Sequence, residues 1–163
     1  MSAAQEGKDL AAILERDLKK LAQQVAGFQN DAQLWQTLPG VENCAGNLVL
    51  HLEGNLREYV GRQLGGIAYT RVRPAEFSTK DAPAAELSAR VQELIRIIPP
   101  VLAGMSAEKF GEEFPDKVLG VPMSNRQFLA HLIGHLNYHM GQMDYLRRIL
   151  TSGTAIDYVR LSE

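Results

Sequence analysis

The chain has 163 residues, 45% of them apolar, a net charge of -2 and a sequence pI of about 6.1. That length and composition suit one domain with a sizeable core and exclude wholesale disorder. No cationic excess exists to neutralise a run of phosphates, which argues against a nucleic-acid partner. The single cysteine, Cys44, rules out a disulfide within the chain and fits a reducing compartment. The opening segment MSAAQEGKDLAAILERDLKK carries charge through its apolar positions, so it does not read as a secretory signal. No uninterrupted apolar run reaches membrane-spanning length, and the expectation is a cytoplasmic protein without a membrane partner.

A first helix is expected from Lys8 to Phe28, with Leu10, Ile13, Leu14, Leu18, Leu21 and Val25 at helical spacing. Asn30-Asp31 and Pro39-Gly40 mark a long loop, in which Leu34, Trp35 and Leu38 can pack on the bundle and Trp35 can act as a lid over one end. A second helix is expected from Asn43 to Gln63, ended by Gly65-Gly66. Ile67 to Pro83 reads as a long irregular stretch holding Arg71, Arg73, Pro74 and Lys80. The third helix should begin near Ala84, with Asp81 as its cap, and stop at Pro99-Pro100. A further loop holds Phe114, Pro115, Gly120 and Pro122. Ser124 or Asn125 then caps a fourth helix running to Thr151, with Gly153 as its stop. No alternating strand pattern is present. The predicted fold is an all-α four-helix bundle in a single domain over residues 1–163. Its second connection is long enough to cross the bundle, which allows helices two and three to run parallel.

All four histidines fall in helices two and four. His131, His135 and His139 recur every fourth residue, a step of about 40° around the helix and about 6 Å along it. With His135 at zero on the wheel, the apolar residues centre near 60°, His139 lies at about 40° and His131 at about -40°. His135 and His139 therefore point inward together, and an i, i+4 pair can share one metal ion. Helix two offers His51 within a polar stripe of Asn47, Asn55, Glu58 and Arg62. Taken singly, each histidine on an apolar face reads as a hydrogen-bonded core residue, and the stripe as ordinary solvated helix. The combination points to three imidazoles, His51, His135 and His139, around one divalent transition metal such as zinc, nickel or iron. The segments HLIGH and HLNYH carry Leu132 and Leu136 where a zincin needs glutamate, which excludes that reaction class.

The segment NLVLHLEGNLREYVG, followed by HLIGHLNYHMGQMDYLRRIL, resembles the DinB-like superfamily over essentially the whole chain. LPGVENCAGN and RVRPAEF look like one branch of it. The resemblance implies a four-helix bundle with a long crossover between helices two and three. It also implies a metal held by His51 and the His135–His139 pair, with His131 no direct ligand. Family activities are mostly thiol-dependent transfers or isomerisations with bacillithiol, mycothiol or similar low-molecular-weight thiols. The expected function is thus a metal-dependent transferase acting with a small thiol. Metal-dependent hydrolysis and a non-enzymatic metal- or partner-binding role are the alternatives. Asn47 and Asn55, one turn either side of His51, are candidate substrate contacts, as are Arg73 for a carboxylate and His131 at the rim. Glu58 is a conceivable base, two turns from His51. Gly134, Tyr138, Gly141 and Tyr145 form a second stripe on helix four, expected either to make a homodimer or to pack on another helix of the same bundle. Cys44, aligned with His51 two turns earlier, reads as a buried structural thiol.

Overall fold

The computed structural model describes residues 3–159. Four long helices build the core. They are α1 (Ala3–Ala26), α3 (Ala45–Leu56, continued by a π-helical segment Arg57–Leu64), α5 (Ala84–Ala103) and α7 (Asn125–Thr151). Three short helices lie in the connections: α2 (Asp31–Trp35), α4 (Arg73–Ser78) and α6 (Ala107–Gly111). No strand occurs among the described residues, only an isolated bridge between Glu113 and Ser124. The periodic leucines explain the assembly: Leu14, Leu18 and Leu21 of α1 and Leu87, Leu94 and Ile98 of α5 are fully buried. Leu52 and Leu56 of α3 and Phe128 and Leu136 of α7 complete the same core. Burying each such side chain contributes about 1.5–3 kcal/mol.

Side-chain partners fix the helix directions. Glu6 meets Arg126, Asp17 meets Asn137 and Gln24 meets Asp144, so α1 and α7 are parallel. Glu53 meets Arg90, and Gly61 and Gly65 lie against Ile98 and Val101, so α3 and α5 are parallel too. His51 meets His135 while Tyr59 packs on Phe128, which makes α3 and α7 antiparallel. Gly7 lies against Leu102, so α1 and α5 are also antiparallel. The order is up, down, down, up, and the crossover from α3 to α5 traverses the bundle.

Several boundaries differ from the sequence expectation. Among the described residues the first helix begins at Ala3, five residues earlier than Lys8, and ends at Ala26. Helix α5 runs through Pro99 and Pro100 to Ala103, because Ile98, Pro99 and Leu102 are all buried and tertiary packing outweighs the two lost N–H donors. Asp81 does not cap it. Asp81 adopts a positive φ of 69°, Pro83 occupies the cap, and the Asp31 carboxylate instead accepts from the Ala84 N–H at 2.9 Å. Ser124 caps α7 with a full capping box to Gln127. No helix among the described residues is long and apolar enough to cross a membrane.

The π-helical segment matters for the site. A π-turn closes i→i+5, roughly 80° per residue in place of about 100°. Beyond Leu56 that change of phase carries Tyr59 round towards the His51 face and moves Glu58 off it.

Candidate metal centre

His51 projects from the middle of α3, and His135 and His139 from the middle of α7. The Nε2 atom of His135 lies 3.2 Å from that of His51 and 3.1 Å from that of His139. All three offer a nitrogen within 4.8 Å of the others. Donors about 2.0–2.1 Å from a tetrahedral zinc sit about 3.3–3.4 Å apart, so the spacing suits one ion.

The outer nitrogens of two rings are held by acceptors. His51 Nδ1 lies 2.9 Å from Glu76 Oε2, and His139 Nδ1 lies 2.7 Å from Gln142 Oε1. Those acceptors place the ring proton on Nδ1 in both residues, leaving each Nε2 the unprotonated nitrogen on the side of the centre. The Asn55 amide agrees. Its Oδ1 accepts from Arg71 at 3.4 Å, so its NH₂ faces the His51 carbonyl at 3.0 Å and His51 Nε2 at 2.9 Å. The unprotonated Nε2 atoms of His51 and His139, with His135 Nε2 between them, make a donor set that fits a divalent transition metal.

Burial pushes His135 down to about 4, helped by the charges of His139, His51, His131 and Arg71. Burial also lowers His139, against the Gln142 hydrogen bond, which raises it. Both rings are therefore neutral near pH 7, as metal ligation requires.

Glu76, on α4, is the residue sequence reasoning missed. It is the only carboxylate between Glu58 and Asp81 and is buried. Burial alone would raise its pKa, but the hydrogen bonds from His51 and Arg71 and the Arg71 charge hold it below the usual carboxylate range. Arg71 clasps it with Nε on Oε1 at 2.6 Å and Nη2 on Oε2 at 2.9 Å. A side chain at Gly54 would put a Cβ 2.1 Å from Glu76 Oε1, so glycine leaves the room that the Glu76 carboxylate occupies.

The remaining candidates separate clearly. Asn47 spends its amide on the crossover: Nδ2 donates to the Glu76 and Thr79 carbonyls at 2.9 and 3.1 Å, and Oδ1 accepts from Cys44 Sγ and Lys80 Nζ. Cys44 is buried at the α3 N-cap. Trp35 packs over Gly46 and donates to the Ala82 carbonyl at 2.9 Å, away from the histidines. Glu58 is bound by Arg62 and Gln63, and the Arg62 bond lowers its pKa. A cleft of about 200 Å³ opens beside the triad, lined by His51, Asn55, Tyr59, Arg71, Arg73 and His135 among others, with exposed His131 at its edge. It adjoins a polar groove of about 480 Å³ that shares Tyr59, Arg71 and Arg73. The Arg73 guanidinium lies over the Phe77 ring, 5.3 Å from its centroid, and Phe77 in turn packs on His51. The stripe of Gly134, Tyr138, Gly141 and Tyr145 is exposed, so it does not pack within this bundle.

A model of the mycothiol-S-transferase family matches residues 9–152. The chain belongs to this family. Its fold is DinB-like. It resembles the crystal structure of a DinB-like protein from Bacillus cereus, with a TM-score of 0.65 at 18% identity, covering 86% of this chain and 89% of that one. It also resembles a conserved protein from Enterococcus faecalis, with a TM-score of 0.69 at 14% identity, covering 94% and 99%. No curated protein matches the sequence. In this mycothiol-S-transferase family member, His51, His135 and His139 form a cluster that could hold a metal ion.

Two outcomes follow from the geometry. Glu76→Gln and Gly54→Ala should each weaken zinc affinity by about 10–100-fold in chelator competition, with the helical circular dichroism retained. Protein stripped of metal should lose stability as the pH falls from about 6.5 to about 4. The unfolded chain takes up protons there that folded His135 refuses, so the urea midpoint drops across that window. His135→Ala should flatten the drop.

Proposed function

We propose that the chain is a metal-dependent S-transferase that uses mycothiol as its thiol substrate. The observation that carries this reading is the convergence of three imidazole nitrogens within 4.8 Å, opening onto a cleft of about 200 Å³, in a chain of this family. His51, His135 and His139 would hold the ion. A zinc, nickel or iron ion there supplies a Lewis acid that favours thiolate over thiol at neutral pH.

The protein's own groups divide the remaining work. Glu76 and Gln142 fix two of the rings, and Asn47 holds the strap that carries Arg73. Phe128, Leu132 and Val118 give the cleft an apolar wall that limits competing water. Arg73 has no carboxylate partner among the described residues and faces both cleft and groove, placing a cation for an anionic group of the second substrate. Asn55 and His131 border the same space as polar contacts. The polar groove suits the hydrophilic body of a small thiol. We further place a homodimer contact on the exposed Gly134–Tyr145 stripe, where small residues allow close approach of a second helix. Tyr138→Glu with Tyr145→Glu should shift the sedimentation coefficient to that of one chain; a wild type already of monomer mass removes this contact.

With mycothiol, 1-chloro-2,4-dinitrobenzene and added zinc, nickel or ferrous ion, the wild type should form the aryl thioether. The rate should fall by about 100-fold or more in His139→Ala and on chelation. Product formed without mycothiol, or an equal rate in His139→Ala, contradicts the proposal.

A further inference from the structure

Tyr59 occupies the junction of the histidine cleft and the polar groove. Its ring is wedged edge-on against Phe128 and Phe114, at centroid distances of 5.2 and 6.0 Å, so the phenol is held in one direction. Its oxygen accepts from Arg71 Nη1 at 3.3 Å. Among the described residues no group accepts the phenolic proton, so that O–H is left to whatever fills the cleft. Apart from exposed His131 at the rim, the other donors around the cleft are committed or unsuited. Asn55 is bonded to His51, Arg71 to Glu76, and Arg73 cannot release a proton near neutral pH.

We propose that Tyr59 is the proton donor to an oxygen leaving group, which makes epoxides a substrate class of this site. The proposal rests on the S-transfer reading above. The thiolate sulfur forms a bond to an epoxide carbon, and the C–O bond breaks with its electron pair going to oxygen. That oxygen takes the Tyr59 proton. The phenolate, stabilised by the Arg71 hydrogen bond, is then reprotonated from water, balancing the proton the thiol released on ionising. An aryl chloride needs no such proton, since chloride leaves as the anion.

The test compares Tyr59→Phe with wild type, zinc-loaded, using mycothiol with either styrene oxide or 1-chloro-2,4-dinitrobenzene. The phenylalanine ring keeps the packing on Phe114 and Phe128, and zinc affinity and the thermal midpoint are measured alongside. The expected result is that kcat/KM for styrene oxide falls about 100-fold more than for the chloroarene, with zinc affinity within two-fold of wild type. An unchanged ratio of the two rates overturns the role of Tyr59. So does a ratio that falls in His131→Gln instead, because the proton then comes from the rim histidine. A wild type that conjugates the chloroarene but not the epoxide overturns the substrate class while leaving S-transfer intact. A wild type that conjugates neither overturns both readings.

Discussion

The 2.9 Å contact between His51 Nδ1 and Glu76 Oε2 joins the two parts of the molecule that chain order keeps apart, the core of α3 and the crossover strap. A carboxylate in that position is costly to bury. It is tolerated because each oxygen is met by Arg71 and one also by His51, so its lone pairs are engaged on both sides. The contact also needs space. Gly54 provides it by presenting bare backbone where any side chain would strike the carboxylate. The same interaction that pins the strap also sets the tautomer of a ring in the centre, so local fold and site chemistry depend on one hydrogen bond.

The topology explains why a strap is available. Parallel α3 and α5 cannot be joined by a tight turn, so the chain must run back along the bundle. Residues 67–83 make that return across the open side of the histidine cleft. They deliver Arg71, Arg73, Glu76 and Phe77 in one short stretch, while Asn47 fastens the far end through the Glu76 and Thr79 carbonyls. An up-down-up-down bundle with short loops would leave His51 without its carboxylate.

Much of this was legible in the sequence. The wheel separated His135 and His139 from His131 because a four-residue step drifts about 40°, enough to turn one of three equally spaced rings outward. The apolar periodicity gave the four long helices, and the length of the second connection gave the parallel pair. Other features were hidden for physical reasons. Glu76 acts across a tertiary contact with no periodic signature, and its only trace was isolation as the sole acid in a basic stretch. Glu58 falls in the stripe on a wheel that assumes uniform α-geometry, whereas the π-helical segment changes the phase after Leu56 and brings Tyr59 to the cleft instead. Asn47 shared the His51 face, yet a face shows only direction and not which neighbour arrives there. Pro99 and Pro100 looked like a stop because proline's local cost is visible in sequence and the burial that outweighs it is not.

The central claim is that His51, His135 and His139 bind one divalent ion through their Nε2 atoms. X-ray absorption spectroscopy on protein purified without a metal-affinity tag, with total metal measured on the same sample, tests it most directly. The account predicts about one ion per chain with imidazole scattering from three nitrogens near 2.0–2.1 Å. A first shell without imidazole, or no bound ion even after reconstitution with zinc, nickel and ferrous iron, would contradict it.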